Sequence, residues 1–162
     1  MSDEPSHEWE PDPITRLRAL AAALPGAIVA QQPVDASFER VWSVLSDLER
    51  SVPLYEPQVE RLRIVSRHGQ RLELTVDLVD GQRLDVRARL HDGWCLMQSD
   101  ETIIAMAARP LGRRTLVAHL EHARGAYGGP QRADADQHRA KLLQEIAAIE
   151  RLARRPADPP PG

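Results

Sequence analysis

Residues 71–93, RLELTVDLVDGQRLDVRARLHDG, place an apolar side chain at every second position on both sides of Asp80-Gly81. Successive side chains of a strand point to opposite faces, so Leu72, Leu74, Val76 and Leu78 share one face, as do Leu84, Val86, Ala88 and Leu90. The opposite faces carry Glu73, Thr75 and Asp77 on one strand and Arg83, Asp85, Arg87 and Arg89 on the next. Such a pair is half-buried, with one wet side, as antiparallel sheets commonly are. Outward from this hairpin the period of two extends over 59–122. It is punctuated at His68-Gly69, Asp80-Gly81, Asp92-Gly93, Ser99-Asp100 and Leu111-Gly112. Turn signals about 8 to 12 residues apart predict consecutive antiparallel hairpins, six strands in all.

Helical signals flank this run. Asp12-Pro13 offers an N-cap followed by proline in the first turn, and Ile14, Leu17, Leu20, Ala21 and Leu24 recur at helical spacing before Pro25-Gly26. A short β-prone run within 27–34 is ended by Pro33. Ser37 can then cap a helix whose apolar face is Phe38, Val41, Trp42, Leu45 and Leu48. The segment 52–57, bounded by Pro53 and Pro57, is expected to hold no more than one helical turn. A loop with Gly125, Gly128, Gly129 and Pro130 separates the strands from a final helix over 133–154, with Leu142, Ile146 and Ile149 on one side. At ~1.5 Å per residue this helix spans about 30 Å, enough to cross the sheet. The organisation read from these signals is an N-terminal extension over 1–26 carrying the helix 13–24, a main domain over 27–155, and a proline-rich, disordered tail over 156–162.

Composition narrows the function classes. Of the 162 residues, 42% are hydrophobic and 28% charged, a globular balance, and no apolar run approaches the ~20 residues of a membrane span. The acidic start MSDEPSHE lacks a signal-peptide pattern, and the lone Cys95 rules out an intramolecular disulfide, so a reducing, cytoplasmic setting is expected. Lys141 is the only lysine among 21 basic residues, which reads as compositional bias toward arginine. The net charge is −3, and the arginines of the wet face (Arg61, Arg63, Arg83, Arg87, Arg89) flank a strand carrying Glu73 and Asp77. Cross-strand pairing of opposite charges, worth roughly 0.2–1 kcal/mol each, accounts for that face without a nucleic-acid partner.

The wording of two segments resembles a known superfamily. Residues 33–65, PVDASFERVWSVLSDLERSVPLYEPQVERLRIV, resemble the opening of START-like SRPBCC proteins, which include polyketide cyclases and the birch-pollen-allergen fold. The carrying positions are Ala36, Val41, Trp42 and Asp47, then Tyr55, Pro57 and Val59 leading into the second strand. GRRTLVAHLEHARG, residues 112–125, resembles the penultimate element, with Gly112 and Thr115 opening the last strand. The resemblance implies an α+β helix-grip fold: a curved antiparallel sheet of about seven strands wrapped around a long C-terminal helix, with two short helices after the first strand. The helix 13–24 lies outside that pattern.

A hydrophobic cavity between sheet and final helix is also implied. Its expected wall comprises Trp42 and Tyr55 from the helical segment, Leu74, Val76, Val86 and Ala88 from one hairpin, and Trp94, Leu96, Ile104 and Met106 from the next. His138, Leu142 and Ile146 of the final helix close it. The leading functional expectation is binding of a small hydrophobic molecule, lipid, polyketide or isoprenoid-like, with no cofactor. A cyclase or aromatase-type enzyme and a protein-interaction or chaperone-like module using the sheet surface or helix 13–24 are the alternatives, and a homodimer is left open.

Reactive motifs are scarce. His119 and His122 are three apart in a strand, hence on opposite faces, so no metal site is expected from them. Cys95 lies among Trp94, Leu96 and Met97 and reads as a buried structural thiol. No nucleophile elbow, phosphate loop or dinucleotide fingerprint occurs, Asp100-Glu101 reads as a solvated hairpin tip, and no catalytic residue is assigned. His119 and Glu121 share a strand face and would form a polar pair if that face looked inward. The aliphatic Leu116, Ala118 and Leu120 on the other face outweigh Val117 and favour the opposite arrangement. His138, Tyr55 and Tyr127 are candidates to hydrogen-bond a ligand oxygen, and the small Ala88 and Ala108 are expected to leave room under the sheet.

Overall fold

The computed structural model describes residues 11–123 and 132–156. Among them the chain forms α1 (Pro13–Ala23), β1 (Ile28–Val34), α2 (Phe38–Ser46), α3 (Leu48–Tyr55), β2 (Val59–His68), β3 (Arg71–Leu78), β4 (Arg83–His91), β5 (Trp94–Gln98), β6 (Thr102–Leu111), β7 (Arg114–Ala123) and α4 (Arg132–Arg154). All pairings are antiparallel, in the order β1-β7-β6-β5-β4-β3-β2. Six strands thus form a meander of hairpins, and β1 closes onto β7 at the far edge from β2. Helices α2 and α3 carry the chain from one edge of the curved sheet to the other. This is the expected α+β helix-grip architecture. Register shifts between Val59 and Arg61 and between Ile64 and Ser66 bulge β2 and sharpen its twist.

Two local readings change. Helix α2 ends at Ser46, and Leu48 opens α3 instead of extending the α2 face; Asp47, with non-helical backbone, separates the two. Strand β1 continues through Pro33 to Val34, which an edge strand allows, whereas α3 puts only 52–55, one turn, into the segment bounded by Pro53 and Pro57. The glycine-rich loop with Tyr127 and the tail beyond Pro156 lie outside the described residues.

The sheet is buried on both sides over part of its width. On the concave face Leu74, Ala88, Met106 and Val117 form one core with Val41 and Leu45 of α2 and with Leu142, Ile146 and Ile149 of α4. On the convex face α1 packs over β6 and β7, where Ile14 and Leu17 join Trp94, Ile103, Ala105, Ala107, Leu116, Ala118 and Leu120 in a second core. Alanines at 105, 107 and 118 let the helix approach closely. Gly93 marks the tightest point: at φ +76° a Cβ here would lie 2.6 Å from the Ala108 carbonyl oxygen and 2.9 Å from Pro13 Cγ. Over β2–β4 the positions alternate between a buried concave side and a largely exposed convex side, the half-wet pattern read from the sequence.

Candidate functional site

Helix α4 makes its principal contacts with β1, β7, α2 and α3, so it does not cover the concave face over β3–β5. The space left there is a cavity of about 380 Å³. Val59 and Leu62 of β2, Val76 and Leu78 of β3, Leu84 and Val86 of β4, Met97 of β5 and Ile104 and Met106 of β6 give it an aliphatic wall. Its other end is polar. Glu56 follows α3, His119 and Glu121 stand two apart on β7, and His138, Lys141 and Glu145 follow one another at three- and four-residue spacing on α4. That spacing puts the α4 trio on one helix face.

Of the residues expected to form the wall, Tyr55, Val76, Val86, Ile104, Met106 and His138 border the cavity. Trp42, Leu74, Ala88, Leu142 and Ile146 belong to the concave core beside it, Trp42 stacking on Phe38 with centroids 6.4 Å apart. Trp94 and Leu96 are corrections. They point to the convex side against α1, while Cys95 and Met97 face the concave side. Ala88 and Ala108 are buried in the packed core and do not border the space. The β7 reading reverses as well: Leu116, Ala118 and Leu120 lie under α1, and Val117 and His119 face the concave side. The aliphatic face was claimed by the extra helix, leaving the mixed face for the interior.

The polar end is tightly coupled. His138 Nε2 and Glu121 Oε2 are 2.5 Å apart, and Lys141 Nζ lies 3.6 Å from Glu56 and 4.0 Å from Glu121. His119 sits between two carboxylates, its Nε2 3.8 Å from Glu121 and its Nδ1 3.9 Å from Glu145. Burial pushes His119 down to about 4, against the pull of Glu121 and Glu56, so the imidazole is neutral at pH 7. Burial, then a hydrogen bond shared with Glu56, holds the Glu145 carboxyl well above the usual carboxylate range. For Glu56 burial raises, but the bond with Glu145, the Gln58 N–H and Lys141 outweigh it and leave the group below its ordinary value. The two carboxyls are thus pushed apart, Glu145 toward its protonated form and Glu56 toward its ionised form. Lys141 is desolvated, yet Glu121, Glu56 and Glu145 raise it and keep it charged. Tyr55 is buried, with its hydroxyl donating to Met106 Sδ at 3.6 Å, and burial pushes the Cys95 thiol up to about 12.

Glu56 and Glu145 were not singled out from the sequence, and Lys141 was set aside as compositional bias. One signal was there: Glu145 interrupts the apolar stripe of Leu142, Ile146 and Ile149, and a carboxylate on a buried helix face needs a partner. His119 and His122 do lie apart, the latter reaching the Pro25 carbonyl at 3.0 Å. His119, Glu121 and Glu145, by contrast, each bring one possible ligand atom within 4.8 Å of the others.

No family model matches the sequence, and comparison with curated proteins finds no match. Solved structures do align. A protein from Thermus thermophilus is 20% identical, over 78% of this chain and 96% of its own, with a TM-score of 0.60. The Zhui aromatase/cyclase from Streptomyces is 15% identical over 80% and 93%, with a TM-score of 0.57. A START superfamily protein from Mycobacterium smegmatis is 20% identical over 76% and 94%, with a TM-score of 0.55. With its meander of hairpins closed by β1 around a C-terminal helix, superposing on nearly the whole of each of these structures, the chain has the START-like, SRPBCC-type helix-grip fold.

Proposed function

We propose that the protein binds a small hydrophobic molecule of lipid, polyketide or isoprenoid type in the cavity, its apolar body along β2–β6 and one polar group at the Glu56–Glu145 end. The observation that carries this reading is the cavity itself: about 380 Å³, aliphatic along one side, with polar groups converging at the other. Small-molecule sites are concave and mostly apolar, of roughly 300–1,000 Å³, with a few placed polar groups. Native mass spectrometry of gently purified protein, with fluorescence titration by a lipophilic probe, tests it. The expected result is a co-purified ligand or saturable one-to-one probe binding; the absence of both overturns the reading.

The carboxyl pair favours a second reading, a cyclase-type enzyme, which likeness to an aromatase/cyclase also supports. Glu56 ionised and Glu145 protonated are an acid and a base whose environments push them apart. Glu56 would take a proton from the carbon beside a ligand carbonyl while Glu145 gives one to its oxygen; the enol so formed attacks a second carbonyl of a folded chain, and its hydroxyl proton passes to the new alkoxide as the first carbonyl re-forms. Proton exchange between the two carboxyls resets the pair. On this reading Glu145→Gln retains probe binding and loses turnover of a linear poly-β-carbonyl substrate; unchanged turnover removes the assignment.

A further inference from the structure

His119 Nδ1 is buried without a hydrogen-bond partner and lies 3.9 Å from the Glu145 carboxyl, whose own hydrogen bond is shared with a second acid, Glu56. The His119 and Glu145 side chains are 2% and 3% exposed. Buried polar groups in native proteins nearly always find a partner, and an orphan points to a missing ion or water. We propose that His119, Glu121 and Glu145 form a binding site for a divalent first-row transition cation.

The geometry is close to what coordination requires. His119 turns Nε2 to Glu121 at 3.8 Å and Nδ1 to Glu145 at 3.9 Å, so a cation would take one of the two nitrogens and draw the farther carboxylate in; one ligand atom from each of the three residues already lies within 4.8 Å of the others. Ligand atoms at ~2.0–2.2 Å from a shared cation lie on the order of 3–4 Å from one another, so closure takes small side-chain adjustments. The donors stand on rigid elements, two on one face of β7 and one in the middle of α4. Outer partners already aim them: His138 engages Glu121 from the outside, and Lys141 bridges Glu56 and Glu121. Such second contacts orient ligating carboxylates. Among the ion pairs of the described residues, the partner of Glu145 within 4.0 Å is the His119 ring, with the Lys141 ammonium acting on it from farther off. One nitrogen and two carboxylates suit Zn²⁺, Mn²⁺ or Fe²⁺, and three protein ligands leave a coordination position open.

The proposal goes beyond the hydrophobic-ligand reading and does not rest on it. Chelator-stripped, full-length protein titrated with Zn²⁺ or Mn²⁺ alone by calorimetry is expected to bind one ion per chain. Glu145→Gln and His119→Ala should each weaken binding at least about tenfold, whereas His122→Ala, on the other face of β7, should not. Co²⁺ substitution gives an independent signature: visible ligand-field bands that disappear in Glu145→Gln, a variant of nearly unchanged shape that keeps the test valid if His119→Ala does not fold. No saturable binding in the wild type, or binding equally strong in wild type and Glu145→Gln, overturns the site. Lipophilic-probe binding, measured alongside without metal, shows whether the cavity reading stands or falls separately.

Discussion

His119 and Glu145 meet the same constraint from opposite sides of the titration scale. Each is nearly inaccessible to water, and burial drives each toward its uncharged form, the histidine down to about 4 and the carboxyl upward. Their effects on stability therefore run in opposite directions with pH. The His119 contribution is whole above its ordinary value of 6.5 and is lost as pH falls toward 4, because the unfolded chain then takes a proton the folded one refuses. The Glu145 contribution is whole below its ordinary value of 4.5 and is lost as pH rises above it, because the folded chain keeps a proton the unfolded one releases. Glutamine has no such proton to keep. In chelator-treated protein, the melting temperature of Glu145→Gln relative to wild type should therefore increase from pH 5 to pH 8, with a ceiling of about 1.4 kcal/mol per pH unit. Thermal unfolding of both proteins across that range measures it. A difference that stays flat would mean that Glu145 is not held protonated.

At the level of elements, the hairpins were legible because each is local. Alternating apolar positions and a turn signal sit within some twenty residues of one another, as in 71–93. Helix α1 was equally plain, from its Asp12 cap, whose side chain accepts from the Ile14 N–H at 2.8 Å, and its apolar spacing. What the pattern did not say was where α1 would dock. Once it covers β6 and β7, those strands are buried on both faces, and counting aliphatic residues no longer tells inside from outside. Hence Leu116, Ala118 and Leu120 on β7, and Trp94 and Leu96 on β5, fell on the face not expected. Gly93 allows the docking to be tested. Gly69 and Gly93 both have positive φ, but a Cβ at Gly69 meets nothing within 4 Å, while at Gly93 it strikes the Ala108 carbonyl and Pro13. Gly69→Ala should cost only the left-handed strain, about 1–2 kcal/mol. Gly93→Ala should cost more, since a strand carbonyl and the start of α1 must both move. Urea unfolding of the two variants compares them; equal losses would show that α1 does not press on this turn.

For the whole molecule, the resemblance and the strand count led to the right architecture, but the cavity's position was only half legible. Whether an inward residue borders empty space depends on where α4 rests, and α4 rests on β1, β7 and α2, far along the chain. Leu74 and Ala88 therefore proved to be packed where Val76 and Val86 are open. The polar end was hidden for the same reason, being assembled from α3, β7 and α4. This difference between neighbours on one strand face yields a decisive comparison. Val86 and Ala88 both point inward from β4 and are both nearly buried, at 8% and 6% exposure, yet only Val86 borders the cavity. Phenylalanine at 88 must enter a filled core, and overpacking of that kind typically costs 1–3 kcal/mol, in a range of about that size here. Phenylalanine at 86 has the cavity to enter, so Val86→Phe should unfold within about 1 kcal/mol of wild type while removing volume a ligand would use. Binding of a lipophilic probe should accordingly weaken at least about tenfold in Val86→Phe, which corresponds to 1.4 kcal/mol. Denaturant unfolding and probe titration of both variants supply the comparison. If Val86→Phe loses as much stability as Ala88→Phe, the space between sheet and helix is already filled by the protein itself and no guest can occupy it.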